Sequence, residues 1–70
     1  MYKKLKELRK KFGYTCNYMG QQLGVTGTYY YLIENSKRSL SYKNAYKIAC
    51  IFKLKPDDIF YEDIVNNKRD

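Results

Sequence analysis

Apolar residues recur along this 70-residue chain at helical spacing, and no sustained period-two alternation suggests a strand. Leu5, Leu8 and Phe12 fall at i, i+3 and i+7 and predict a first helix, with Gly13 as its left-handed C-terminal cap. Met19 and Leu23 mark a second helix that ends at Gly24, and Tyr30 and Ile33 mark a third. Ala45, Ile48, Ala49 and Phe52 mark a fourth. Ile59 and Phe60, after Pro56, mark a short fifth.

The helix starts are written more strongly than the stripes. Thr15, Thr26 and Ser41 each stand where a hydroxyl would accept an orphan N–H of the first turn, an interaction worth about 1 kcal/mol. Tyr14, Val25 and Leu40 precede them, and Met19, Tyr30 and Ala45 follow four positions on, which is the spacing of a hydrophobic staple. Leu54 and Ile59 repeat that spacing around Lys55, with Pro56 suited to the first helical position. Asp57 and Asp58 would favour the positive end of the fifth helix.

The connection between the second and third helices is the tightest. Gly24 supplies the positive φ of a sharp bend, and Gly20, inside the second helix, lets the third approach closely. A polar, basic loop through Asn35, Lys37 and Arg38 follows. This is the layout of a helix-turn-helix, whose second helix enters the DNA major groove.

Charge sharpens that picture. The chain carries a net +7, unevenly placed. Residues 1–56 hold twelve Lys/Arg against Glu7 and Glu34, whereas residues 57–70 hold Lys68 and Arg69 against five acids. A basic body favours a polyanion, of which nucleic acid is the commonest. No apolar stretch approaches the roughly 18 residues needed to span a bilayer, and the N-terminus has no apolar signal segment, so the expected location is cytoplasmic, with no membrane partner. Cys16 and Cys50 form no Cys-x-x-Cys and there is no His, which argues against a metal site and for two free thiols. No nucleophile–base pair or phosphate-cradling glycine loop stands out, so neither an enzyme nor a cofactor is expected.

The ordered set Leu5-x-x-Leu8-Arg9, Gly13-x-Thr15, Met19-Gly20-x-x-Leu23-Gly24-Val25-Thr26, Ile33-Glu34-Asn35-x-Lys37-Arg38, Lys47-Ile48-Ala49 and Asp57-Asp58-Ile59-Phe60 resembles the XRE family of Cro/repressor-type helix-turn-helix proteins. The resemblance implies an all-α, compact five-helix bundle of lambda-repressor-like fold in residues 1–62, followed by a polar tail over 63–70. It also implies a homodimer on double-stranded operator DNA, acting as a small transcriptional repressor. By position, Gly27, Thr28, Tyr31 and Leu32 would face base edges. Cys16, Tyr29, Asn35, Lys37 and Arg38 would meet phosphates, with Lys43 and Lys10 as looser candidates. Arg9 and Glu34 match the family's structural ion pair. Leu54, Ile59, Phe60 and Tyr61 fall where the family often dimerises.

Two departures qualify the implied readout. Positions 27–32 contain no Arg, Asn or Gln, the residues that usually make bidentate base contacts, and Cys16 stands where the family commonly has Gln. Thr28 would offer a hydroxyl, while Tyr31 and Leu32 would pack on thymine methyls and DNA deformability would add specificity. Tyr30 is expected in the core, and Tyr18, Tyr29 and Tyr31 cannot all join it on one narrow stripe. Exposed aromatics mark interfaces, so a protein partner on the Tyr-rich face of the third helix is the alternative to DNA. The acidic run Tyr61–Val65 is open to three readings: pairing in a dimer, lying against the basic body, or fraying.

Overall fold

A computed structural model describes residues 1–67 as five helices: α1 (Lys3–Phe12), α2 (Cys16–Leu23), α3 (Gly27–Glu34), α4 (Tyr42–Ile51) and α5 (Pro56–Asn67). Among the described residues there is no strand, and no helix is long and apolar enough to cross a membrane.

The three hydroxyl caps form where their sequence spacing puts them. Thr15 accepts from the Tyr18 N–H at 3.0 Å, Thr26 from Tyr29 at 3.0 Å and Ser41 from Asn44 at 3.1 Å. Tyr14, Val25 and Leu40, just outside those caps, are half-buried against the core. The fifth start works differently. Leu54 is 39% exposed rather than stapled, and the Asp58 carboxylate reaches back to the Lys55 N–H at 3.0 Å. That contact satisfies one orphan donor and sets a negative charge at the positive end of the helix.

Helix α1 has no side-chain cap of its own, and Lys3 and Lys4 sit unfavourably at its positive end. The compensation comes from α5, whose Asp63 accepts the Lys4 N–H at 3.3 Å. Helix α5 is therefore not short. It has twelve residues and continues through the acidic segment along α1. The expected boundary after residue 62 falls inside this helix, and residues 68–70 of the expected tail lie outside the described residues.

Gly13 and Gly24 end α1 and α2 at φ 74° and 78°. Gly20 serves a second purpose. A Cβ there would lie 2.7 Å from the Thr26 carbonyl oxygen and 2.8 Å from that of Val25, so the close approach is to the turn backbone. The Val25 N–H closes this contact onto the Gly20 carbonyl at 2.8 Å.

The core gathers Leu5, Met19, Leu23, Tyr30, Ile33, Ala45, Ile48, Ala49, Phe52, Ile59 and Phe60. Phe12 completes the first helical stripe in sequence but is 47% exposed. It lies at the rim, edge-on to Phe52 with ring centroids 5.1 Å apart, because α1 ends there and nothing covers its outer side. Helix α2 packs most extensively on α3, while α5 lies across α1 and α4.

Candidate nucleic-acid interface

The turn between α2 and α3 is built entirely from short-range chemistry: a left-handed Gly24, the Val25 contact and the Thr26 cap. It holds α3 against α2 with little freedom. The inner face of α3 carries Tyr30, Ile33 and Glu34, all buried.

Glu34 is 1% exposed, and burying a carboxylate requires compensation. Arg9 of α1 provides it with two parallel bonds, Nε to Oε1 at 2.9 Å and Nη2 to Oε2 at 3.1 Å. The Tyr30 hydroxyl donates to Oε1 at 2.8 Å, and Arg9 Nη1 donates to the Tyr14 carbonyl at 3.0 Å. Among the described residues no buried side-chain polar atom lacks a partner. The Glu34 hydrogen bond raises the Arg9 pKa above its ordinary value. Burial first, then the bond to Glu34, pushes the Tyr30 phenol well above its ordinary range, so it stays a neutral donor. The Tyr2 N–H adds a further tie, to the Glu34 carbonyl at 2.9 Å. The third helix is thus anchored to the first and to the N-terminus.

The outer face of α3 is the opposite. Thr28, Tyr29 and Tyr31 are exposed, Tyr31 at 53%, and Leu32 is half-buried. Tyr29 meets Arg38 from the following loop, whose guanidinium carbon lies 5.4 Å from the ring centroid. That cation–π contact keeps a positive charge at the flank of α3. Lys37 and Arg38 are themselves placed by their N–H groups, which bond the Leu32 carbonyl at 2.8 and 3.2 Å. Asn35 uses one amide hydrogen on the Tyr31 carbonyl at 2.9 Å and keeps its oxygen and other hydrogen available.

Lys10 and Lys43 are exposed on α1 and α4. Among the described residues Arg9–Glu34 is the only ion pair, so Lys10, Lys37, Arg38 and Lys43 have no carboxylate partner there. Cys16 is half-buried at the first position of α2. Burial pushes its thiol upward against the opposing pull of Arg9, so it is a neutral, weak donor beside the α2 backbone amides.

The positions offered for self-association divide. Ile59 and Phe60 are buried in the protomer's own core, because α5 turns that face onto α1 and α4. They are therefore not available to a second copy. Leu54 remains exposed, as does Tyr61 at 61%.

Two participants escaped sequence reading. The Tyr30 hydroxyl was hidden by its place in an apolar stripe. Asn17, exposed on α2, lies against Gly27. A Cβ at Gly27 would collide with the Asn17 side-chain oxygen and stand 3.0 Å from its Cα. A glycine opening a helix immediately after a tight turn is the signal that something occupies that space.

Comparison with known proteins agrees with this geometry. The helix-turn-helix family matches residues 5–59. An uncharacterized HTH-type transcriptional regulator of Archaeoglobus fulgidus is 38% identical over 63 residues, covering 90% of this chain and 89% of that protein. The uncharacterized HTH-type transcriptional regulator YgzD of Bacillus subtilis is 38% identical over 61 residues, covering 87% of this chain and 92% of its own length. No solved structure matches the chain.

Proposed function

The chain belongs to the XRE-type helix-turn-helix family of transcriptional regulators, and from that premise we propose that it is a small dimeric repressor of operator DNA, acting in the cytoplasm. Helix α3 enters the major groove, with Thr28, Tyr31 and Leu32 toward base edges. The backbone amides at Cys16, together with Asn35, Lys37 and Arg38, hold phosphates around it. Lys10 and Lys43 add charge from the neighbouring helices, and Tyr29 orients Arg38. Bound to a promoter, the protein excludes polymerase by occupancy.

The observation that carries this reading is the two-faced α3: an inner face locked by the Glu34 network, and an exposed outer face flanked by cations that have no carboxylate partner among the described residues. Self-association is supported by an open apolar groove between α4 and α5, where Tyr42, Tyr61 and Val65 are exposed. A symmetric pair would set its two recognition helices about 34 Å apart, one turn of DNA.

A salt titration of binding to a selected DNA site tests the proposal. Four cations per protomer, Lys10, Lys37, Arg38 and Lys43, give a log–log slope of roughly −7 for a dimer. A flat dependence overturns it. Exposed Tyr29 and Tyr31, on a helix without base-reading amides, favour a second reading, a protein-interaction module such as an antirepressor. Capture from nuclease-treated lysate separates the two: a stoichiometric protein partner supports the module, and recovery of nucleic acid alone, without nuclease, supports the repressor.

A further inference from the structure

The outer face of α3 poses a chemical problem for the operator-binding reading. The exposed or half-buried side chains of positions 27–32 are the Thr28 hydroxyl, the phenols of Tyr29 and Tyr31 and the apolar Leu32, and none of them pairs bidentately with a base. At the first position of α3, where a long polar side chain would be best placed to leave the helix toward a base, there is only Gly27.

That space is not empty. The carboxamide of Asn17, from the second position of α2, occupies the volume into which a side chain at residue 27 would project. Asn17 is exposed, and among the described residues its side chain makes no hydrogen bond. Its donor and acceptor are therefore uncommitted at the point where the starts of α2 and α3 meet. A carboxamide is the group that pairs with the N6 and N7 edge of adenine. The absence of a side chain at 27 and the presence of an amide at 17 are complementary, since any side chain larger than hydrogen at 27 would displace Asn17.

We propose that Asn17, seated over Gly27, is the specificity-determining amide of this protein, reading an A·T pair from α2 in place of a side chain on α3. The proposal rests on the operator-binding reading. Gly27 is the permissive partner: it makes no base contact of its own and holds the amide at the rim of the recognition helix.

Selection of bound sequences from random DNA, with the full chain and with Asn17→Ala, tests this. The exposed, unbonded side chain predicts an unchanged unfolding midpoint for the variant. The selected motif should lose its preference at one A·T position of each half-site, a loss of about 5- to 150-fold in discrimination there, with the other positions retained. Binding to random-sequence DNA should stay within about twofold, because no phosphate contact is removed. Gly27→Ala, which evicts the amide, should lose the same preference, and the double variant should lose no more than either single one. An unchanged motif in Asn17→Ala overturns the assignment and leaves operator binding standing. A uniform loss of affinity on all sequences also overturns it, by making Asn17 a phosphate contact. If the unaltered chain selects no motif, sequence-specific binding fails, and this proposal fails with it.

Discussion

The two faces of α3 differ in almost every physical respect, although they share eight residues. On the inner face, Tyr30, Ile33 and Glu34 are buried, and the Glu34 carboxylate accepts from both the Tyr30 hydroxyl and the Arg9 guanidinium. On the outer face, Thr28, Tyr29 and Tyr31 are exposed, and Arg38 lies over the Tyr29 ring. The inner face therefore determines where the helix sits, and the outer face is free to determine what it meets. A recognition helix needs both: an unanchored helix would lose affinity to the entropy of ordering it, and a fully committed one would have nothing to offer a partner.

Substitutions on the two faces should separate these roles. Glu34→Ala removes the centre of the inner network and strands Arg9 and the Tyr30 hydroxyl. Loss of one member of a buried pair costs about 3–5 kcal/mol, comparable to the whole stability of a domain of this size. Urea unfolding should show a chain that is largely unfolded without denaturant, and a fully cooperative, near-native transition would contradict the anchoring role.

Tyr30→Phe is milder. It removes one hydrogen bond to a charged group, about 1.5–3 kcal/mol, with the ring still filling the core. Tyr31→Ala, one residue along on the outer face, should change the urea midpoint by less than about 0.5 kcal/mol equivalent while weakening DNA binding. Equal stability losses at the two positions would erase the distinction between the faces.

Alkaline pH offers a smaller version of the same test. The folded-state pKa of Tyr30 is raised, so its contribution is fully present below its ordinary value near 10 and is lost as pH rises beyond it. Stability measured by chemical denaturation should fall more steeply above about pH 10 in the native sequence than in Tyr30→Phe. Parallel curves would mean that Tyr30 is not the group responsible.

The smallest effect is expected where the inner face runs out. Ser36 closes α3 at φ 62°, a left-handed conformation that costs a residue with a Cβ about 1 kcal/mol. Ser36→Gly should raise the thermal midpoint by a few degrees, with DNA selectivity unaltered. A lowered midpoint would show that the serine side chain compensates for its own strain.

These contrasts follow how much of the molecule could be read along the chain. Caps and stops are local: a hydroxyl three residues before its N–H, or a glycine free to take positive φ, is visible in a short window. Thr15, Thr26, Ser41, Gly13 and Gly24 are of this kind. Ser36 and Lys53 also take positive φ, but without glycine they carry no such signal. The length of α5 was hidden because its acidic segment reads as a solvated tail until Asp63 meets the start of α1, 59 positions earlier. Ile59 and Phe60 could equally have faced a second copy or the protomer's own core, and periodicity cannot tell which partner an apolar face will find.

Local chain chemistry thus sufficed for five helices, the hydroxyl-capped starts of α2, α3 and α4 and the bend between the second and third, since each depends on residues within about one helical turn of one another. Family resemblance extended this to the pairing of Arg9 with Glu34. The addition of the Tyr30 hydroxyl to that pair, the burial of Ile59 and Phe60, the exposure of Phe12 and the seating of Asn17 over Gly27 came from packing alone. The Tyr30–Glu34 bond lies within α3 and needed only the burial of its inner face, whereas the others depend on how different helices meet, and whether a side chain is buried, satisfied or free is a property of its neighbours in space.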